Sequence, residues 1–342
     1  MEASITPDHF GADEVKFIHG TLAKFPTNSQ LAMVRIVDNQ PQFYGAIKNN
    51  TQVEYIDNRY AVFDIGSIAK TFTSAILAQQ VVERKLSLND EVSEILGFQF
   101  NNNTKITLKQ LANHTSGLSR IPSDLFWELF FKNKDNPYAN YDQSRLKEYL
   151  QQKLKIKNQD KFSYSNLGAG LLGFVLSEVN KVSYESMLQK AICEPLGLKQ
   201  ITTSRENAGS NLVQGLNTKG IPVPHWDLGA LLGAGGIYSS IFDLAKYIIH
   251  NINDTNSGFE LQREKTATVN KQMGIGLGWF IAKKQNSDNT IYFHDGGTNG
   301  FTSIVFMNIQ TRSGIAILSN ISANHVLKRG CLPQLAQKLY RR

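Results

Sequence analysis

Strand-like segments occur near both ends of this chain of 342 residues, and a long, mostly helical stretch separates them. Near the N-terminus, residues 31–37 and 42–47 are rich in strand-forming residues, and turn formers at 38–41 separate the two segments. Strand character returns near the C-terminus, at residues 278–283, 290–294, 301–308 and 315–319. This arrangement predicts one β-sheet that is assembled from both ends of the chain.

Short turns between neighbouring strands favour antiparallel pairing, because parallel strands need long crossover connections. Helices predicted at 11–25 and about 324–340 would cover the sheet. We therefore predict an α/β (α+β) fold, in which residues 1–85 and about 266–342 form one lobe and about 86–265 form a mostly helical second lobe. A cleft between two such lobes is a natural place for a ligand.

Composition and charge exclude several classes of protein. The chain is 41% apolar and 19% charged, as globular proteins are, and it lacks an apolar run long enough to span a membrane. The net charge is +7, but the basic residues are dispersed and do not alternate with aromatic ones, which argues against nucleic-acid binding. The first 20 residues lack the apolar core of a secretory signal. Two alternatives follow: the protein is cytoplasmic, or its signal has been removed.

The cysteines and histidines predict no metal site. Cys193 and Cys331 have no cysteine or histidine neighbour at metal-binding spacing, and the histidines lack ligand spacing as well. Each cysteine is expected to be a free thiol, with a disulfide between the two left open. Neither the composition nor the motifs predict an oligomeric state.

Ser67 and Lys70 form a Ser-x-x-Lys pair at the start of a helix predicted over about 67–85. A serine hydroxyl is a weak nucleophile near neutral pH and needs a base within hydrogen-bonding reach. Positions i and i+3 share one helix face, so Lys70 can point at Ser67. Gly66 precedes the pair and places Ser67 at a helix N-terminus, where free N–H groups favour negative charge. The apolar stripe that follows would partly bury Lys70, and burial lowers the pKa of a lysine.

The spacing of this pair is weak evidence without its context. A second Ser-x-x-Lys occurs at Ser144 and Lys147, in a polar and charged stretch. We interpret that second pair as a solvated helix face, since no apolar stripe follows it.

Tyr164 and Asn166 precede an apolar helix at about 171–179 that would hold them in place. A phenol beside a cationic lysine can have a lowered pKa, so Tyr164 is a candidate to take or relay the serine proton. Asn166 offers both a donor and an acceptor to a substrate amide. The same Tyr-x-Asn spacing at 138–140 lies in a polar loop, and we interpret it as a loop fragment.

His294, Gly296 and Gly297 end the strand predicted at 290–294. Glycines at this point allow a ligand to approach the backbone closely. The N–H of Gly297 could pair with that of Ser67 as an oxyanion hole, and His294 could supply a proton or a positive charge. The alternative is a tight hairpin turn, which an Asp-Gly pair favours.

Three glycines, Gly168, Gly170 and Gly173, match the dinucleotide-binding fingerprint letter for letter. No strand-rich run precedes them and no βαβ alternation follows, so the structural context of that fingerprint is missing. We interpret the glycines as a site of close helix packing rather than of nucleotide binding.

The chemical elements occur along the chain in the order Ser67-x-x-Lys70, Tyr164-x-Asn166, His294-x-Gly296. This order resembles the penicillin-recognising serine hydrolases, in the branch of class C β-lactamases, D-alanyl-D-alanine carboxypeptidases and related family VIII-type esterases. Supporting runs at 111–118, 195–198 and 233–240 are also similar to that branch, and the resemblance extends from about 60 to 320.

The resemblance implies a β-lactamase/transpeptidase-like fold, with the whole chain as a single catalytic unit and no metal or cofactor. It implies that Ser67 attacks a carbonyl, that Lys70 and Tyr164 shuttle the proton, and that Asn166 holds the acyl amide. The backbone N–H groups of Ser67 and Gly297 would stabilise the oxyanion. A small-molecule or peptide substrate and a periplasmic or secreted location are further implications.

The third element departs from the pattern of most class C β-lactamases, which is Lys-Thr-Gly followed by a hydroxyl residue. Here His294, Asp295 and Gly296 are followed by Gly297. The lysine and the hydroxyl help to bind the substrate carboxylate, so we expect esters and peptides to be cleaved better than cephalosporins. Asp295 would repel an anion, and Thr298, one residue late, would substitute in part. The alternative functions are a penicillin-binding sensor or scaffold with little turnover, and a carboxylesterase.

Overall fold

The computed structural model describes residues 9–126, 128, 136–253, 257–283, 289–325 and 328–340. Within these ranges the strands are β1 (Gln30–Val37), β2 (Gln40–Asn49), β3 (Gln52–Tyr55), β4 (Val62–Asp64), β5 (Ile201–Thr202), β6 (Tyr238–Ser240), β7 (Ala267–Thr268), β8 (Met273–Ile275), β9 (Phe280–Lys283), β10 (Thr290–Gly297), β11 (Thr302–Asn308) and β12 (Ser313–Ser319). The α-helices are α1 (Ala12–Leu22), α2 (Ala69–Val82), α3 (Val92–Leu96), α4 (Leu108–Ala112), α5 (Gln143–Glu148), α6 (Asn166–Asn180), α7 (Tyr184–Leu188), α8 (Glu194–Leu196), α9 (Arg205–Ala208), α10 (Ile241–Asn253), α11 (Ser257–Arg263) and α12 (Lys328–Tyr340).

A nine-stranded antiparallel sheet forms the frame of the described chain, in the order β3-β2-β1-β12-β11-β10-β9-β8-β7. Within this sheet β1 lies between β2 and β12, and Leu31 is paired with Ala46 on one side and Ser319 on the other. The predicted sheet from both ends of the chain is therefore confirmed. The helical middle of the chain lies in sequence between β4 and β7, and the large-sheet strands on either side of it, β3 and β7, form opposite edges of that sheet.

Both faces of the sheet are covered, as the alternating side chains of β1 show. Leu31 and Met33 pack into a core with α1 and α12, which confirms that terminal helices cover the sheet. Val34 and Ile36 face the opposite core, which also contains residues of α2, α6 and α10. The strand is therefore buried along most of its length, although its neighbours are antiparallel.

A second sheet of three short strands, in the order β4-β6-β5, is absent from the sequence prediction. Its strands are only two or three residues long, too short for an alternating pattern to show. β4 pairs with β6 through Phe63 and Ser239, which places it immediately before Ser67. This sheet therefore ties the segment that carries Ser67 to the region after residue 200.

Two expectations about local structure need correction. The strand predicted at 290–294 continues to Gly297, and Asp295 is paired with Ile304 of β11, so the hairpin-turn alternative at Asp295-Gly296 is wrong. The helix predicted from residue 67 begins with a 3-10 turn at Gly66–Ile68 before α2. The last predicted helix includes residues 326–327, which lie outside the described residues, and α12 is described from Lys328.

The glycines of α6 serve helix packing, as the sequence predicted. A Cβ on Gly170 would lie 2.7 Å from the Leu231 side chain, and one on Gly173 would lie 2.8 Å from Gly233 Cα. Both neighbours belong to a 3-10 segment, Gly229–Ala234, which leads to the functional site. Cys193 and Cys331 are both free thiols, so no disulfide joins them. Among the helices that the structure describes, none is long and apolar enough to cross a membrane.

Candidate active site

Ser67 lies in the 3-10 turn between β4 and α2, and several contacts hold this turn. Gly66 has a φ of +51° and donates its N–H to the Asp64 carboxylate at 2.9 Å. Ser303 on β11 donates its hydroxyl to the Ile65 carbonyl at 2.7 Å. A Cβ on Gly66 would lie 2.6 Å from the backbone N of Gly297, so the turn and the end of β10 approach too closely for a side chain.

Lys70, one helical turn after Ser67, points back at it. The Lys70 Nζ lies 2.9 Å from Ser67 Oγ and donates to the Ala234 carbonyl at 2.5 Å. The lysine is 2% exposed, and its pKa lies well below the ordinary value because burial disfavours the cation and Arg120 repels it. The lowered pKa favours the unprotonated amine, the form that can accept the hydroxyl proton.

Tyr164 forms a hydrogen bond with Ser67, and two basic side chains contact its ring. Lys70 Nζ is 5.0 Å and the Arg120 guanidinium 5.2 Å from the ring centroid. The lowered pKa expected for this phenol is wrong, because burial raises the pKa of Tyr164 more than Ser67 and Arg120 lower it. Tyr164 is therefore a neutral phenol at rest, suited to relay a proton rather than to remove one.

Asn166 is the first residue of α6, where the Ser165 side chain caps the helix by accepting from Gly168 N at 2.8 Å. Its side chain is hydrogen-bonded to the Tyr138 phenol, while its Oδ1 is buried without a partner. The bond therefore uses Nδ2, which leaves the acceptor atom available. The loop interpretation of Tyr138 is thus incomplete, since this side chain is 5% exposed beside Asn166.

His294, on β10, is 1% exposed. Its Nδ1 lies 2.8 Å from the Asp295 carbonyl, which can only accept, so Nδ1 carries the proton. Burial and the nearby Lys70 lower the pKa of His294 to about 4. The imidazole is therefore neutral near neutral pH, so of its two expected roles, supplying a proton or a positive charge, the second does not apply there.

One pocket joins several of the predicted residues. Its lining consists of Gly66, Ser67, Tyr138, Asn166, Trp226, Leu228, Leu231, Ala234, Gly235, Gly297 and Thr298. Lys70 and Tyr164 reach the pocket through their contacts with Ser67, whereas His294 and Gly296 are not among the lining residues. The sequence did not point to Tyr138, Trp226, Leu228 or Leu231 as site residues: Tyr138 was interpreted as part of a loop fragment, and the other three carry no motif.

Two further buried groups border the site. His114 is 1% exposed, accepts from Ser165 N at Nδ1 over 3.2 Å, and lies 4.5 Å from the Tyr164 ring. Asp64 is 4% exposed, and burial raises its pKa to about 7 despite the hydrogen bond from Gly66. Among the described residues, no cluster of three or more histidine, cysteine or carboxylate side chains could hold a metal ion.

The assembled side chains can activate a hydroxyl, relay a proton and receive a neutral acyl group. The fold and the Ser67–Lys70 arrangement are those of the β-lactamase/transpeptidase-like class, with a serine-hydrolase-like architecture. The Beta-lactamase family model matches residues 32–339. This chain therefore belongs to the Beta-lactamase family.

Sequence relatives agree with the family assignment. The chain is 28% identical over 282 residues to Protein flp of Staphylococcus aureus strain MW2, covering 78% of this chain and 54% of the relative. It is 32% identical over 221 residues to a β-lactamase of Providencia stuartii, covering 61% and 51% of the two chains. The chain thus spans about half the length of these relatives.

Solved structures share the fold. A class C β-lactamase from Rhodobacter sphaeroides superposes with a TM-score of 0.79 at 18% identity, covering 97% of this chain and 99% of that one. The octameric penicillin-binding protein homologue from Pyrococcus abyssi gives 0.77 at 23% identity, covering 96% and 77%. The β-lactamase/D-alanine carboxypeptidase from Pseudomonas syringae gives 0.76 at 20% identity, covering 97% and 96%.

Proposed function

We propose that this protein is a serine acyl-hydrolase that cleaves amide or ester bonds through an acyl-enzyme on Ser67. The observation that carries the proposal is the 2.9 Å contact between Lys70 Nζ and Ser67 Oγ, made by a lysine that is 2% exposed. Burial favours the unprotonated amine, and the contacts with Ser67 and Ala234 fix its direction, which supports a base in place beside the nucleophile.

In the first half of the reaction, the hydroxyl proton of Ser67 passes to Lys70 as Oγ bonds to the substrate carbonyl carbon. The electron pair of the carbonyl moves to its oxygen, which the backbone N–H groups of Ser67 and Gly297 would stabilise. The proton then travels through the Tyr164 phenol to the leaving nitrogen or oxygen, and the bond to the leaving group breaks. Water reverses these transfers, releases the acid and restores Ser67.

The substrates that we propose are D-Ala-terminated peptides, β-lactams and activated esters. The named activities of the relatives from Providencia stuartii and Pseudomonas syringae support the first two classes. At the third element, His294 is neutral where most class C β-lactamases carry a lysine, which favours esters and peptides over cephalosporins. A periplasmic or secreted location remains a proposal from the family resemblance.

Covalent labelling tests this function directly. Incubation with a fluorescent penicillin, a phosphonate and a p-nitrophenyl ester, followed by peptide mass mapping, is expected to show an adduct on Ser67. Ser67→Ala provides the matched control and is expected to remain unlabelled. If none of the three reagents labels Ser67 in folded protein, the proposal is wrong.

Burst kinetics separate a hydrolase from the alternative of a penicillin-binding sensor. A hydrolase gives a burst followed by steady product release from at least one substrate in a panel of nitrocefin, a D-Ala-D-Ala peptide and p-nitrophenyl esters. A sensor gives one equivalent of acylation and then no further product. Faster cleavage of nitrocefin than of the peptide would contradict the substrate order proposed here.

A further inference from the structure

Two consecutive carbonyls of the 3-10 segment, Gly229–Ala234, accept hydrogen bonds from side chains of α2. The Ala234 carbonyl accepts from Lys70 Nζ at 2.5 Å, and the Gly233 carbonyl accepts from Thr73 Oγ1 at 2.9 Å. Lys70 and Thr73 are three positions apart on one face of α2, and both are buried. The 3-10 segment is therefore attached to α2 at two adjacent points, one of which is the base itself.

A third side chain sets the direction of the Thr73 hydroxyl. Tyr184 of α7 is buried, and its phenol oxygen lies 2.6 Å from Thr73 Oγ1. The same hydroxyl lies 2.9 Å from the Gly233 carbonyl and 3.2 Å from the Ala69 carbonyl. Carbonyls can only accept, so the single hydroxyl proton of Thr73 goes to one of them, of which Gly233 is the nearer. The Tyr184 phenol is then the donor in its bond with Thr73, and bonds in such a buried chain strengthen one another.

The Tyr184 ring is held in its turn by α6. A Cβ on Gly173 would lie 3.1 Å from Tyr184 Cε2 and 2.8 Å from Gly233 Cα, so the ring, the helix and the 3-10 segment are in close contact. Burial raises the pKa of Tyr184, and the phenol therefore keeps its proton near neutral pH. Tyr184 is thus a fixed hydrogen-bond donor to Thr73 under the conditions in which the base acts.

The position of Ala234 bears on the direction of the Lys70 amine. Because its carbonyl can only accept, it takes an N–H of the amine, which leaves the lone pair of the unprotonated form to face the Ser67 hydroxyl at 2.9 Å. A base must lie within hydrogen-bonding reach of the proton that it removes, and a misplacement of about 1 Å can cost about 10²-fold in rate. A shift of the 3-10 segment would therefore change the rate at Ser67.

We propose that Thr73 and Tyr184 are positioning residues for the base: through the Gly233 carbonyl they hold the 3-10 segment, and the segment holds Lys70 in line with Ser67. This inference rests on the proposed function and deepens it, because it names residues behind the base that set the rate of acylation. Neither Thr73 nor Tyr184 is among the residues that line the Ser67 pocket, so their effect is expected on rate rather than on substrate binding.

Removal of single hydroxyl groups tests the inference. Tyr184→Phe removes the donor to Thr73, and Thr73→Val removes the bond to Gly233 at nearly constant volume. Each is expected to lower the limiting acylation rate by a p-nitrophenyl ester about tenfold or more, with an apparent binding constant within about twofold of wild type. Thr73→Ser keeps the hydroxyl and is expected to retain most of the wild-type rate.

Tyr247→Phe is the matched control. Tyr247 is also buried, and its phenol donates to the hydroxyl of Thr71 on the same helix at 3.3 Å. Thr71, however, donates to the Ile68 carbonyl and not to the 3-10 segment. Tyr247→Phe therefore removes an equivalent buried phenol, and it is expected to lower stability while the acylation rate of the folded protein stays at the wild-type value.

A titration without substrate separates this inference from the proposed function. The pKa of Lys70 is measured from the ¹³Cε resonance of protein labelled with ¹³C-lysine, and Lys70→Gln assigns the signal. The pKa should rise towards its ordinary value in Tyr184→Phe and Thr73→Val, because burial is the main cause of its lowering and a displaced 3-10 segment lets water reach the amine. The charged and titratable groups near Lys70 are kept in every variant: Arg120, Asp295, His114, His294 and Tyr164.

The outcomes distinguish the two proposals. A raised Lys70 pKa in Tyr184→Phe and Thr73→Val, with no change in Tyr247→Phe, supports the positioning role even if no reagent acylates the wild type. Wild-type acylation rates in Tyr184→Phe and Thr73→Val would overturn the inference and leave the proposed function intact. An unchanged Lys70 pKa in both variants, or effects of Tyr247→Phe as large as those of Tyr184→Phe, would overturn it as well.

Discussion

The same physical cause shifts the pKa values of Lys70 and Tyr164 in opposite directions. Burial disfavours the charged form of each group, which lowers the pKa of the lysine and raises that of the phenol. Both side chains contact Ser67, but only the lysine is driven towards a form that accepts a proton. At the residue scale, these opposite shifts support Lys70 as the base and Tyr164 as the relay in the mechanism that we propose.

Removal of the base tests this division of roles. Lys70→Ala is expected to slow acylation by about 10²–10⁴-fold, and Ser67→Ala to abolish it. The double variant should be no worse than Ser67→Ala, because residues that act as one unit lose activity non-additively. In the wild type, the acylation rate should fall as the pH drops through the lowered pKa of Lys70. Stopped-flow measurements with a chromogenic ester give the acylation rate of each variant and the pH dependence of the wild-type rate.

His294 is expected to affect binding rather than proton abstraction. His294→Ala should lower kcat/KM by about tenfold or less and to a degree that depends on the substrate, since the loss is one of packing and hydrogen bonding. Because the pKa of His294 is about 4, the shape of the pH profile above about pH 5 should not change. A folded His294→Ala protein as inactive as Ser67→Ala on a neutral ester would make His294 the base.

Asp64 couples the stability of the nucleophile turn to pH. Its pKa rises from 3.8 to about 7 on folding, so the folded state binds the extra proton and stability falls as the pH rises through this range. Asp64→Asn keeps the acceptor for Gly66 N–H and removes the charge. The stability of the variant is therefore expected not to decrease over this pH range, and the variant should melt at a higher temperature than wild type above pH 7. Melting curves at several pH values test it, and parallel pH dependence in both proteins would contradict it.

At the scale of elements, α6 carries Asn166 and depends on small residues for its position. Gly173→Ala would place a Cβ 2.8 Å from Gly233 Cα, which is backbone and cannot rotate away. We expect a loss of about 1–3 kcal/mol in the free energy of unfolding, together with slower acylation because the 3-10 segment leads to Ala234.

Gly20→Ala in α1 is the matched control, since a Cβ there would meet no atom within 4 Å. It should stabilise the protein by about 0.5–1 kcal/mol through helix propensity and leave acylation unchanged. Urea denaturation measures the change in the free energy of unfolding for each of the two substitutions. Equal effects of the two substitutions would show that α6 and the 3-10 segment are not closely packed.

At the scale of the whole molecule, one hydrophobic core connects the sheet with the helical middle of the chain. Phe72 of α2, Leu171 of α6, Cys193 and Ala316 of β12 all belong to this core. Because β1 pairs with β12, loss of either end of the chain would also remove sheet neighbours from the other. These connections favour a single cooperative unfolding transition.

The buried thiol of Cys193 provides a test of that cooperativity. In a Cys331→Ser background, labelling of Cys193 by a thiol reagent should begin at the denaturant concentration at which the circular dichroism of the sheet is lost. Cys193 is 1% exposed, so it reacts only when the helical part opens. Labelling at clearly lower denaturant, with the sheet signal intact, would indicate that the helical part unfolds independently.

Local patterns in the sequence were sufficient for the features that depend on neighbouring residues. The i, i+3 spacing of Ser67 and Lys70, the strands from both ends and the packing role of the α6 glycines could all be predicted. Each follows from helix or strand periodicity, which a few consecutive residues determine.

Burial and contacts between distant segments determine the features of the site that the sequence did not predict. The raised pKa of Tyr164 and the neutral state of His294 depend on how much water the folded chain excludes, which no local pattern reports. The contact between the Tyr138 and Trp226 rings depends on hydrogen bonds between segments about ninety residues apart in sequence. Only the tertiary structure brings such groups within a few ångströms, where desolvation and hydrogen bonding act.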